Sequence, residues 1–174
     1  EAIPTGRPVS VERETFPGLL AAGARLSGHV DDAYWRDMGT PADLVQGSAD
    51  LVRGIAPSAA LPGPTGDVLA VTGAEVAADA DVAGGTVVGK GAVVGAGARV
   101  IGSMIYDGAV VAEGAVVENS VLARNARVEA GAIVADGVIG DDAVVGELCE
   151  LRGGIRVWPG VVLPARGVRF SPDV

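Results

Sequence analysis

The sequence predicts a mainly β protein: a parallel β-helix of hexapeptide repeats over residues 67–174, behind a short mixed α/β stretch at residues 1–53. Three observations carry that prediction. Aliphatic residues recur every five or six positions from Val71 to Val145. Ala or Gly often stands two places ahead of them, as in Ala92-Val93-Val94 and Ala132-Ile133-Val134. Glycine is abundant, 27 of 174 residues, while aromatics are only 3%, so the backbone is closely spaced and the core aliphatic.

The repeat sets the geometry. The aliphatic series runs Val71, Val76, Val82, Val88, Val94, Val100, Ile105, Val111, Val117, Leu122, Val128, Val134, Ile139 and Val145. From Val88 the steps of 6, 6 and 5 sum to 17, linking Val88, Ile105, Leu122 and Ile139. Three short strands and three corners per coil fit this period, with the aliphatic side chain pointing inward and the small residue letting the corner turn. Four to five coils are expected. An open last coil exposes strand edges, so residues 151–174, with Trp158 and three prolines, are expected to cap it.

Ahead of the repeat, residues 54–66 (GIAPSAALPGPTG) read as a linker. In residues 1–53, Ser10 is placed to cap a helix from Val11, which Pro17 interrupts and Gly23 ends. Residues 25–30 and 33–38 are expected as short strands around an Asp31-Asp32 turn. Thr40, Pro41 and Asp43 form a near capping box, opening a helix from Pro41 to about Arg53. Leu44, Ala49, Leu51 and Val52 supply its apolar side. About 50 residues of this kind bury too little for a core of their own. The opening at Glu1 reads as mid-protein sequence, so an upstream part is expected.

Composition narrows the function. The net charge is −9 and the basic residues do not cluster, which argues against a nucleic-acid surface. No run of about 18 apolar residues suggests a membrane span. Cys149 stands alone, so no internal disulfide forms; a small buried side chain in a reducing, cytoplasmic setting is expected.

Two motifs mislead. GGTVVGKG at residues 84–91 nearly matches a phosphate-binding loop, but Gly91 stands where the magnesium-binding hydroxyl belongs, and the stretch is in phase with the repeat. Lys90 is expected at a solvated corner. Acyltransfer on a β-helix would use a corner histidine, and a zinc-dependent β-helix hydratase three of them. The chain has one histidine, His29, ahead of the linker, and an ordinary turn residue is its simpler reading. The coil is therefore expected to be structural, a packing or homo-oligomerisation module.

SVERETFPGLL at residues 10–20 and AYWRDMGTP at residues 33–41 carry a resemblance. In this order, ahead of a hexapeptide coil ending in VWPGVVLP, they resemble the C-terminal edge of the catalytic domain of sugar-phosphate nucleotidyltransferases, and among them the mannose-1-phosphate guanylyltransferases (GDP-mannose pyrophosphorylases). The resemblance covers nearly the whole chain. It implies a left-handed β-helix preceded by the C-terminal α/β remnant of a nucleotidyltransferase domain. It also implies a reaction in which a sugar-1-phosphate, expected to be mannose-1-phosphate, attacks the α-phosphorus of a nucleoside triphosphate, expected to be GTP, and releases pyrophosphate. Mg2+ would offset the converging negative charge.

By the same resemblance, Asp37 is the catalytic metal-binding carboxylate. Read alone, it is an acid near a helix N-terminus. Glu12 matches the acid that binds sugar hydroxyls, and read alone it is a first-turn acid. Glu14 is expected to be solvated, Trp35 to pack beneath the segment bearing Asp37, and Gly39 and Thr40 to shape the turn that holds it. The family's nucleotide loop, G-x-G-x-R-x-x-P-x-T, does not occur in the chain, so the chain is expected to be a C-terminal portion, inactive alone. Three alternatives stay open: a non-catalytic scaffold relative, a glucose-1-phosphate enzyme using another nucleotide, and a β-helix binding module.

Overall fold

A computed structural model of the chain describes residues 3–61 and 66–169. Residues 62–65 of the expected linker and 170–174 of the expected cap lie outside the described residues. The chain divides into two compact units, Glu1–Ala33 and Tyr34–Val174.

In the first unit Ser10 caps a π-helical turn, Val11–Thr15, which passes into helix α1, Phe16–Ala21. Pro17 is the second residue of α1 and, lacking an N–H, cannot bond back to a carbonyl of the π turn. The hand-over from π to α geometry falls between Thr15 and Phe16, one residue ahead of Pro17, and the helical run continues through the proline expected to interrupt it. Gly23 then takes a φ of 78° and ends it, as the sequence indicates.

The two short strands expected at 25–30 and 33–38 do not form. Among the described residues no ladder pairs this stretch, and no regular element occurs between α1 and residue 40. A lone two-stranded hairpin is marginal in water, and the side chains of the second segment turn instead toward helix α2, Pro41–Val52. The capping box of α2 is complete, with Thr40 and Asp43 each bonded to the other's backbone N–H. Its buried face differs from the expected one. Ala49 and Val52 are buried, but Val45 takes the place of Leu44, which is 38% exposed.

The rest of the second unit is a parallel β solenoid. Three sheets run along it, two with six strands and one with five, and each strand but the last three pairs with the third one after it in sequence. One sheet stacks Val68–Ala70, Thr86–Val88, Met104–Ile105, Val121–Leu122, Val138–Ile139 and Arg156–Val157. That makes about six coils rather than four to five. The central coils keep the expected 17-residue register, as in Met104↔Val121↔Val138. The first and last coils hold 18 residues, as in Val68↔Thr86 and Val138↔Arg156.

The extra residue has a local cause. In the central coils the corresponding corner is one residue with positive φ: Gly102, Asn119 or Asp136. In the outer coils it is a pair, Gly84-Gly85 or Gly153-Gly154, all four with φ between 73° and 81°. Only glycine takes such angles twice in succession at low cost. A strict 17-residue count therefore slips by one at either end. It placed Val71 in the inward series, whereas Ala70 stands opposite inward Val88 and Val71 is 40% exposed.

The core is a column of inward aliphatics, Val88 to Leu151, nearly all without solvent contact. The small residues two places earlier are buried too: Ala92, Ala98, Ala109 and their successors, with Cys149 taking the same position before Leu151. On one sheet this position carries hydroxyls instead. Ser103 N–H donates to Thr86 Oγ1 at 3.2 Å, Ser120 N–H to Ser103 Oγ at 3.1 Å, and Gly137 N–H to Ser120 Oγ at 2.9 Å. Each hydroxyl donates in turn to a carbonyl of its own coil, so the buried polar atoms are satisfied along a ladder. Lys90 is an exposed turn residue, and Gly84-Gly85 is a corner of the coil rather than part of a phosphate loop.

Candidate functional site

The candidate residues lie on the two segments that lead into helices. In the first unit Ser10 Oγ accepts from Arg13 N–H at 3.1 Å, and Glu14 Oε1 accepts from Ser10 N–H at 3.1 Å. Arg7 pairs with Glu14 at 2.8 Å. The Ser10 N–H, followed by the Arg7 guanidinium, holds the Glu14 carboxyl below the usual glutamate range. Glu14, expected to be solvated, is exposed, but its carboxylate closes the cap and pairs with Arg7. Glu12 sits in the first turn, exposed, with no side-chain hydrogen bond or ion pair among the described residues.

The second unit opens with the segment Tyr34–Gly39, and its side chains alternate. Tyr34, Arg36 and Met38 engage α2. Tyr34 Oη donates to Asp50 Oδ2 at 2.8 Å, and Arg36 donates to the same oxygen through Nη2 at 2.8 Å and Nε at 3.1 Å. Gln46 Nε2 donates to Asp50 Oδ1 at 2.8 Å. Met38 fills the notch left by Gly47: a Cβ there would lie 2.2 Å from Met38 Cε and 3.3 Å from Arg36 Cδ. Trp35 and Asp37 are left on the exposed side. Trp35 is 81% exposed, so the expectation that it packs beneath the Asp37 segment is corrected. The polar contacts to Asp50 draw its even-numbered neighbours inward and so leave the indole outside.

Asp50 is the group that sequence reasoning missed. It is only 4% exposed. Burial by itself would raise its pKa, but the hydrogen bonds from Tyr34, Gln46 and Arg36, with the Arg36 charge, outweigh burial and hold it below the usual aspartate range. The signal was present in the sequence: an aspartate beside Ala49 and Val52 on the apolar side of a helix needs a buried partner. Tyr34 and Arg36, two apart in the preceding segment, were the available donors.

Asp37 lies just ahead of the α2 N-terminus. Its carboxylate rests over Gly39, where a Cβ would lie 3.7 Å from Asp37 Oδ2. No hydrogen bond or ion pair occupies that carboxylate among the described residues. Thr40 and Asp43 are committed to the cap of α2, with Thr40 Oγ1 donating to Asp43 Oδ2 at 2.6 Å. Asp37 is therefore an accessible, uncommitted hard oxygen donor, which suits one ligand position of Mg2+. Among the described residues no group of three or more His, Cys, Asp or Glu side chains could hold a metal. Within the described residues Asp37 would thus supply one oxygen ligand of a Mg2+, and the other ligands would come from outside them. Glu12 belongs to the first compact unit and Asp37 to the second.

A parallel β solenoid preceded by two helix-entry segments defines a class, that of proteins carrying a hexapeptide-repeat coil. Residues 64–172 match the family described as the GMPPB C-terminal domain, and the chain belongs to that family. Over its whole length it is 56% identical, across 175 aligned positions, to the mannose-1-phosphate guanylyltransferase of Mycobacterium tuberculosis (strain ATCC 25618 / H37Rv). It covers 49% of that protein, so the chain spans about half the length of the curated relative it matches.

Two solved structures show a partial likeness to the chain. A hexapeptide transferase family protein from Anaplasma phagocytophilum is 17% identical over 62% of this chain and 79% of its own, with a TM-score of 0.48. The acetyltransferase domain of PglB from Neisseria gonorrhoeae FA1090 is 26% identical over 82% of this chain and 76% of its own, with a TM-score of 0.38. The family resemblance read from the motifs is borne out. No helix among the described residues is long and apolar enough to cross a membrane.

Proposed function

We propose that the chain is part of a cytoplasmic sugar-1-phosphate nucleotidyltransferase that forms GDP-mannose from mannose-1-phosphate and GTP and releases pyrophosphate. The observation that carries this reading is the 56% identity, along the entire chain, to a protein bearing that activity in its name. Asp37 is the residue assigned to Mg2+, because its carboxylate is exposed and uncommitted beside the α2 N-terminus. Mg2+ bound there would offset the negative charge converging on the α-phosphorus. Glu12, likewise without a side-chain partner among the described residues, is assigned to the sugar hydroxyls, where an ionised carboxylate can accept two hydrogen bonds. The solenoid takes no part in the chemistry and serves packing and homo-oligomerisation. In this reading the 174 residues by themselves are inactive, the nucleotide loop being assigned to another part of the protein.

The test is Asp37→Asn in the full-length protein. Turnover of mannose-1-phosphate and GTP should fall on the order of a hundredfold, the scale of losing one electrostatic stabiliser, with the melting temperature unchanged. Turnover at the parent level would refute the assignment and favour a scaffold role. Turnover by the isolated chain would refute its inactivity.

A further inference from the structure

We propose that Asp50, buried on α2, is a positioning residue for Asp37. It acts by clamping the segment Tyr34–Gly39 so that the Asp37 carboxylate faces outward at the start of the helix. The inference rests on the reading of Asp37 as the metal ligand. Three fastenings hold this segment to α2. Tyr34 and Arg36 share Asp50 Oδ2, Met38 fills the notch at Gly47, and Thr40 closes the capping box with Asp43. The last two are short-range or apolar and leave the segment able to roll about its own axis. The first fixes that roll, because two side chains on the same side of the chain meet one oxygen that cannot move. Gln46 holds the other Asp50 oxygen at 2.8 Å, and the carboxylate is nearly without solvent contact. With residues 34 and 36 turned in, residue 37 is turned out. A carboxylate held this way meets a cation already oriented, and the ordering cost is met on folding instead of on binding.

The test uses Mn2+ alone as probe, titrated into the full-length protein and followed by the EPR signal of the free ion. Asp37→Asn should abolish the site. Asp50→Asn, which keeps the volume and removes the charge that holds Arg36, should weaken Mn2+ binding about tenfold, the low end of what outer-shell partners of a metal ligand contribute. Tyr34→Phe removes one donor and should weaken it by a smaller factor, and it carries the test if Asp50→Asn does not fold. Val45→Ala, which loosens the buried face of α2 without touching the clamp, should lower the melting temperature and leave Mn2+ affinity unchanged. Parent-like binding by Asp50→Asn beside a weakened Asp37→Asn overturns the positioning role alone. Parent-like binding by Asp37→Asn overturns the metal assignment and this role with it. A loss in Val45→Ala equal to that in Asp50→Asn reduces the effect to stability and also overturns it.

Discussion

Tyr34 Oη donates to Asp50 Oδ2 at 2.8 Å across sixteen residues of chain. Arg36 reaches the same oxygen, so the irregular segment ahead of α2 is tied to the helix through one buried carboxylate. The hydrogen bonds hold the folded pKa of Asp50 below its unfolded value despite burial. A carboxyl with a depressed folded pKa contributes stability that is complete above its unfolded pKa and is lost as pH falls through the folded one. The melting temperature should therefore decline as pH drops below about 4, the ordinary aspartate range, and Asp50→Asn should flatten that decline. Thermal melts of both proteins between neutral and acid pH check this; equal slopes would contradict it.

The hydroxyl ladder inside the coil predicts a loss at Ser120. Ser120→Ala leaves the buried N–H of Gly137 without its present partner, while the Glu118 carbonyl keeps the Asp136 N–H. An unsatisfied buried group costs about 1–3 kcal/mol. Denaturant unfolding should show a lower midpoint of that size with an unchanged slope.

Gly85 sets how closely α2 approaches the coil. A Cβ there would lie 2.5 Å from Ala49 Cβ and 2.7 Å from Ala49 Cα, and φ is 80°. Gly85→Ala should cost at least the 1–2 kcal/mol of a left-handed residue and should loosen α2. Faster trypsin cleavage at Arg53, just past the helix, would report the second effect. Cleavage at the parent rate would mean the corner yields without moving α2.

Leu148 predicts a gain. Its φ is 55°, a left-handed angle where most corners carry Gly, Asn or Asp, and it is 41% exposed. Its side chain lies over Gly131, so some packing would be lost on replacement. Leu148→Asn should still stabilise by about 0.5–1 kcal/mol, because asparagine visits this conformation at lower cost. A lower melting temperature would mean the packing over Gly131 outweighs the backbone term.

Much of the fold was legible in the sequence, and the reason is local. A solenoid coil contacts only its neighbours, so the inward series Val88, Ile105, Leu122, Ile139 appears as a period in the chain itself. The caps at Ser10 and Thr40 were legible for the same reason, since their partners lie within four residues. Asp37 and Glu12 stood out only because the motifs around them resemble a family. Neither composition nor spacing singles out an exposed acid at a helix entry.

What the sequence by itself determined was the class of fold, the 17-residue period of the central coils, the two caps and the family. What only the tertiary structure decided was where the period slips, how α2 seats, and which side of residues 34–38 faces in. The glycine pairs at 84–85 and 153–154 lengthen the outer coils, because two successive positive φ angles absorb a residue without disturbing the strands on either side. Asp50 gathers Tyr34, Arg36 and Gln46, which lie four to sixteen residues away. A buried carboxylate is satisfied by whichever donors the packed chain brings to it, and that choice depends on distances in space that spacing along the chain does not encode.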